Sequence, residues 1–341
     1  MNYEAPRWLP GGHLQTIWPA LMARRVQAAR PAYRRERWTT PDQDFIDVDF
    51  LAGSPGWDSI QDGTVERPLL VLFHGLEGSS RSHYAEAFAD WAAACGWAFA
   101  VPHFRGCSGE LNLAPRVYHS GDHAEIGWIL GHMRARYPGP IVAVGVSLGG
   151  NALLRWAAEV GDAALACVRA VAAVCSPLDL AAGGHAIGMG FNRQVYTRMF
   201  LRTMVPKALA KWQQHPGLFD RQALLAARDL HAFDDIFTAP LHGFRNADDY
   251  WCRASAKPLL PRIRVPALAL NARNDPFVPA QSLPTVEEAG PCVTLWQPAQ
   301  GGHVGFAQGR WPGHLHAMPQ AVGGWLAWQL GLQPPQGARA Q

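Results

Sequence analysis

The sequence predicts an α/β protein: a mostly parallel sheet with helices on both faces and one inserted helical region. Three observations predict it. Short, wholly apolar runs rich in β-branched residues, such as Leu69–Phe73 and Ile141–Val146, recur along the chain, as strands buried on both faces do. Helical patterns separate them, which is the rhythm of strand–helix–strand units. That rhythm stops near Cys175 and resumes at Ala267, so the stretch between is an insertion. At 341 residues the chain is long enough for one large domain carrying such an insertion.

In order, residues 1–40 read as an irregular N-terminal extension. Pro and Trp are interleaved there, and one short amphipathic piece runs from Leu14 to Arg25. Arg24, Arg25, Arg30, Arg34, Arg35 and Arg37 cluster in it and read as a solvated surface segment. Asp44–Leu51 alternates and predicts an early strand. Gly53–Pro68 is a loop rich in Gly, Asp and Ser. Leu69–Phe73 is a strand ending at His74-Gly75, Tyr84–Ala94 a helix, and Trp97–Val101 a strand stopped by Pro102. Asp122–Tyr137 is a helix that must end before Pro138. Strand Ile141–Val146, helix Asn151–Glu159 and strand Val168–Val174 complete the first part of the core, 41–177. Residues 178–261 lack apolar strands but carry helical patterns with many aromatic and basic residues, the mark of a helical cap. Strands Ala267–Leu270 and Val293–Trp296 and helix Ala321–Leu330 return the chain to the core over 262–332, and 333–341 is a polar, disordered tail.

Composition narrows the function. Hydrophobic content of 48% is that of a globular protein, and a net charge of +3 is too small to suggest nucleic-acid binding. The six cysteines form no CxxC, and four of them (Cys95, Cys167, Cys175 and Cys292) lie in apolar runs, so free thiols in a reducing compartment are expected. The first residues carry no basic start followed by an apolar stretch. No run is long enough to span a bilayer. A cytoplasmic protein with no integral membrane segment is the expectation. No GxGxxG or Walker A loop occurs, so no nucleotide cofactor is implied.

The residues that carry chemistry start with Gly145-Val146-Ser147-Leu148-Gly149, between the apolar strand and a helix. A serine on so sharp a turn has a strained backbone and an exposed hydroxyl, and only small residues fit two positions either side. This is the nucleophile elbow, and it predicts the α/β-hydrolase fold, with a mostly parallel eight-stranded sheet. A serine hydroxyl needs a base, and the base an orienting acid, in the chain order Ser, Asp or Glu, His. His303, in a glycine-rich loop after the last strand, is the candidate base; His314 and His316 are less well placed. Asp275, after the penultimate strand, is the candidate acid, with Asp179 as its rival one strand earlier. Two backbone amides should hold the oxyanion, those of Leu148 and Leu76, each lowering the barrier by about 2.7–4 kcal/mol.

Other features carry less. Arg105–Glu110 should lie at the carboxyl edge of the sheet, either shaping the pocket or tying down loops. Cys107 has no base paired with it. His119 and His123 have i, i+4 spacing but lack a third ligand, so no metal is implied. His215 and Asp220 match an H-x4-D pattern expected by chance in so His- and Asp-rich a chain. Phe191–Met204, with Tyr196, Met199 and Phe200, is a candidate acyl-pocket lining.

His13-Leu14-Gln15-Thr16, His74–Ser80, His103–Glu110, Tyr118–Gly121, Gly145–Asn151, Phe233–Asp235, Asn274–Phe277 and Gly301–Phe306 together resemble the signature blocks of the YheT-like α/β-hydrolases. These are bacterial relatives of eukaryotic α/β-hydrolase-domain esterases and lipases. The resemblance runs through nearly the whole chain and implies Ser147, Asp275 and His303 as the triad. The eukaryotic relatives carry an N-terminal membrane anchor that is not seen here. The expected function is therefore hydrolysis of a small-molecule carboxylic ester, of short to medium acyl chain, through an acyl-enzyme and without cofactor. Acyl transfer by the same triad and a non-catalytic ligand-binding scaffold are the alternatives.

Overall fold

The computed structural model describes residues 2–27, 29–53 and 67–333. Most of the loop expected over Gly53–Pro68, and all of the tail beyond Gln333, lie outside these residues.

Eight strands form a single sheet: β1 (Tyr33–Thr39), β2 (Phe45–Leu51), β3 (Leu69–Phe73), β4 (Ala98–Pro102), β5 (Ile141–Val146), β6 (Ala170–Val174), β7 (Ala267–Leu270) and β8 (Val293–Trp296). Their spatial order is β1-β2-β4-β3-β5-β6-β7-β8. Only β2 runs against its neighbours; from β4 to β8 every pairing is parallel. Alternation along a strand sends successive side chains to opposite faces. Leu69, Val71 and Phe73 thus enter one core, with helices α3 (His123–Arg136) and α4 (Leu148–Val160), while Leu70 and Leu72 enter the other, with α2 (His83–Ala94) and the last helix, Ala317–Gln329.

Two local expectations need correction. The first forty residues are not irregular throughout: α1 (Gly12–Leu21) is a helix, and β1 is an edge strand of the sheet. The arginines read as a solvated segment are partly its outward row. Arg35 makes a two-bonded pair with Asp49 and Arg37 one with Asp47 on β2. A polar edge strand held by cross-strand ion pairs has no apolar alternation to betray it.

Between β6 and β7 the described chain is helical, from Leu180–Ile187 through the long helix Arg198–Gln214 to Lys257–Arg262. These helices cover the carboxyl ends of the central strands, the position where open α/β sheets bind ligands. Among the described residues no helix is long and apolar enough to cross a membrane.

Candidate active site

The apolar run of β5 ends at Ser147, whose φ of 52° and ψ of −120° place it in a region that side chains rarely adopt. The strain persists because the turn is fixed on every side. The Ser147 amide donates to Val174 O at 2.8 Å, prolonging the β5–β6 pairing. A Cβ on Gly149 would sit 2.5 Å from the carbonyl oxygens of Phe73 and His74, and one on Gly145 2.5 Å from Gly149 O. The pattern did not flag Gly150, where a Cβ would fall 1.9 Å from Ser176 Oγ. Backbone packs so closely here that the elbow cannot relax.

Ser147, His303 and Asp275 meet in one hydrogen-bonded line. His303 Nε2 is 3.0 Å from Ser147 Oγ, and His303 Nδ1 is 2.8 Å from Asp275 Oδ2. A carboxylate facing Nδ1 fixes the proton there and leaves the Nε2 lone pair toward the serine. The other Asp275 oxygen accepts the Phe277 amide at 2.7 Å, and the Phe277 ring lies 4.2 Å from the imidazole. The Asp275 side chain has no exposed surface. Asp179 instead caps the helix Leu180–Ile187, accepting from the Ala182 amide at 3.0 Å. His314 and His316 stack on each other elsewhere, with centroids 4.6 Å apart.

The loop that carries His303 is held by residues to which sequence reasoning gave no role. Gln15 Oε1, from α1, accepts the Gly301 amide and Asn274 Nδ2, both at 2.9 Å, while its Nε2 donates to Leu9 O. Thr16 Oγ1 accepts the His303 amide at 2.9 Å, and Asn274 Oδ1 accepts the Gly302 amide at 3.0 Å. Cys175 Sγ accepts the Val304 amide at 3.2 Å. A Cβ on Gly305 would fall 1.8 Å from Gln15 O, so α1 sits directly against the loop. Gln15 and Thr16 lie in one of the quoted signature blocks, yet nothing local in the sequence links them to a histidine 287 residues away.

The two residues proposed to supply the oxyanion amides, Leu76 and Leu148, both border the cavity that holds Ser147 and His303. The Gly75 amide donates to Tyr84 Oη at 2.8 Å and the Glu77 amide to Tyr118 Oη at 3.0 Å. Among the described residues the Leu76 amide between them has no such acceptor, nor has that of Leu148 at the start of α4. His74 anchors this loop. Burial pushes its imidazole down to about 3, so it is neutral. Its Nδ1–H then donates to Gly75 O at 2.8 Å, and its Nε2 accepts the Phe104 amide at 3.0 Å.

The cavity measures about 160 Å³ and is walled mainly by apolar side chains, including Leu148, Ile187, Phe200, Met204, Phe237 and Phe277. The proposed acyl-lining segment is therefore used in part. Phe200 and Met204 reach the cavity, whereas Phe191 and Met199 are exposed and Tyr196 packs behind, its ring 4.6 Å from that of Phe277. Asp234 is an acidic group in this wall. Burial raises its carboxyl to about 6, against bonds from Thr238 Oγ1 and Trp251 Nε1.

Of the remaining candidates Arg105, Gly106 and His119 also border the cavity, so the Arg105–Glu110 loop both shapes the pocket and ties down its neighbours. Arg105 is buried and bonds Asp42, Asp44 and Glu125, tying its loop to the β1–β2 turn and to α3. Burial pushes the Cys107 thiol up to about 12, unlike an activated nucleophile. His119 packs on His242 with ring centroids 4.3 Å apart, and His123 Nδ1 bonds Gly121 O. Asp220 caps the helix Arg221–Ala226, and His215 bonds Leu113 O. Among the described residues one trio of metal-ligand type converges, Cys175, Asp275 and His303. Its histidine and aspartate already belong to the serine relay.

A strained serine at a strand–helix turn, a histidine–aspartate pair behind it and an apolar cavity in front define a hydrolase of the α/β class. Comparison with known proteins agrees. A family model described as alpha/beta hydrolase fold matches residues 68–309. YheT of Escherichia coli (strain K12), assigned by name to the esterases, is 38% identical over 87% of this chain and 84% of its own. Phospholipase ABHD3 of Mus musculus is 30% identical over 82% of this chain and 68% of its own. The structure of the esterase Pf2001 from Pyrococcus furiosus shares the fold, with a TM-score of 0.53 at 15% identity over 91% of this chain and 98% of that one. The chain belongs to the α/β-hydrolases, in their YheT-like esterase and lipase family.

Proposed function

We propose that this hydrolase cleaves carboxylic esters through a Ser147–His303–Asp275 triad and an acyl-enzyme. The unbroken line Asp275 Oδ2–His303–Ser147 Oγ, ending at the cavity, carries the reading. His303 Nε2 takes the Ser147 proton as Oγ attacks the acyl carbonyl, and Asp275 balances the imidazolium that forms. The Leu76 and Leu148 amides receive the carbonyl oxygen as it gains charge. His303 then gives the proton to the departing alkoxide. Water, deprotonated by the same imidazole, releases the acyl group and restores the serine.

The helices of 178–261 act as the cap that shapes substrate choice. An apolar cavity of about 150 Å³ holds one benzene, so the 160 Å³ here supports acyl groups of about six carbons. The six unpaired cysteines support a reducing, cytoplasmic setting. A fluorophosphonate probe tests the nucleophile: the wild type should label and Ser147→Ala should not. Labelling that survives Ser147→Ala, or a wild type that neither labels nor turns over nitrophenyl esters of graded chain length, would sink the proposal. Ester products formed with added alcohols would point to acyl transfer instead.

A further inference from the structure

Helix α1 is amphipathic the wrong way round for a helix on a protein surface. Its buried face is polar, with Gln15 0% and Thr16 7% exposed, while Leu14 is 49% and Leu21 71% exposed. Leu14 and Leu21 stand at i and i+7 on the outward side, with the half-buried Trp18 at i+4 between them packing on Trp8. This side has neighbours at both ends. The ring of His13, beside Leu14, lies 4.5 Å from that of Phe191, and Trp18 lies 6.1 Å from Trp311. Met189 is 68%, Phe191 52% and Trp311 67% exposed. Scattered exposed apolar residues need no explanation, but a continuous face of large ones marks an interaction surface.

Charge says what covers it. The segments from which the residues of this face come, Ala5–Arg35, Leu180–Phe219 and Ala289–Gln333, contain no Asp or Glu in sequence, although the chain has 27 acidic residues. Arg7, Arg24, Arg193, Arg198, Arg202 and Arg310 lie in them and are exposed. Among the described residues Arg193 is the one of these six arginines with a carboxylate in reach, Asp229 at 4.0 Å, and a large apolar stripe edged by such arginines complements an anionic lipid surface. The face also adjoins the candidate site. His13 Nδ1 is 3.1 Å from Tyr196 Oη, the Tyr196 ring meets Phe277, and Phe277 lies on His303.

We propose that the face made by α1, the Met189–Phe191 turn and Trp311 docks on an anionic bilayer surface. Docking rests on this surface alone and does not need the ester reading. Co-sedimentation of the full chain with phosphatidylcholine vesicles, with and without phosphatidylglycerol, tests it. The wild type should sediment with the anionic vesicles, less so as salt rises. Leu21→Glu combined with Trp311→Glu should bind about tenfold more weakly or worse, with turnover of a soluble nitrophenyl ester unchanged. Should that pair fail to fold, Arg24→Gln with Arg310→Gln should lose severalfold binding to anionic vesicles only. No sedimentation of the wild type, or binding indifferent to both pairs, overturns the proposal. So does a lipid-free dimer that the Leu21/Trp311 pair turns into a monomer, which would make the face a self-association surface. Vesicle binding without any ester turnover would defeat the catalytic reading and leave docking standing.

Discussion

Replacing Gln15 with leucine keeps the side-chain volume and removes three hydrogen bonds at once. The Gly301 amide, Leu9 carbonyl and Asn274 Nδ2 all lose their partner, each at 2.9 Å in the native chain. Gln15 is fully buried, so water cannot replace it. Two backbone groups left unpaired at about 1–3 kcal/mol each imply a loss of about 3 kcal/mol or more. That corresponds to a fall in Tm of about 4 °C for a chain of this length. The kinetic effect should exceed what lost stability explains. Gly301 starts the loop that carries His303, and Asn274 precedes Asp275, so base and acid lose a common support. A displacement of about 1 Å at such a site can cost about 100-fold. Turnover of a nitrophenyl ester, measured well below the new Tm, should show kcat down by about 10–100-fold with KM nearly unchanged, because the cavity wall is untouched. A Gln15→Leu enzyme with native kcat and only a lower Tm would refute the claim that α1 positions the relay.

Two further outcomes follow from buried charge. Asp234 has its carboxyl raised by burial to about 6, above its ordinary unfolded value, so between those two values the folded state holds the extra proton and stability falls as pH rises. Asp234→Asn should therefore raise Tm at pH 8 and make little difference at pH 4; an equal effect at both would contradict a strained buried carboxylate. Arg105→Met leaves the buried Asp44 without its cation and Glu125 with only Arg116, 3.8 Å away, the two carboxylate side chains being 0% and 2% exposed, and should cost about 3–5 kcal/mol in urea unfolding. A loss below about 1 kcal/mol would show that the Arg105–Glu110 loop is held by something else.

Strands Leu69–Phe73, Ile141–Val146 and Ala267–Leu270 are readable to the residue, because burial on both faces leaves a parallel strand nowhere to hide a polar residue; the edge strand Val293–Trp296, with Thr294 exposed, is read from its apolar residues alone. β1 is unreadable for the converse reason: its stability lies in Arg35 and Arg37 finding Asp49 and Asp47, and a pairing has no signature in one strand alone. The serine, histidine and aspartate of the site are legible because chain order and local turns constrain them. Gln15 and Thr16 are not, since their work is done on backbone amides near the other end of the sequence. The split use of Phe191–Met204 was hidden too. Composition marks that segment as apolar, but which of its faces meets the cavity depends on how the helix rolls against Phe277.

The clasp between residue 15 and residue 301 spans 286 positions, and this orders events on the ribosome. At about 5–20 residues per second, α1 emerges some tens of seconds before the loop it must hold. Until then its buried-to-be glutamine and threonine stay wet. The proposed relay therefore closes only after residues 301–303 have been made, 286 positions behind the helix that clasps them.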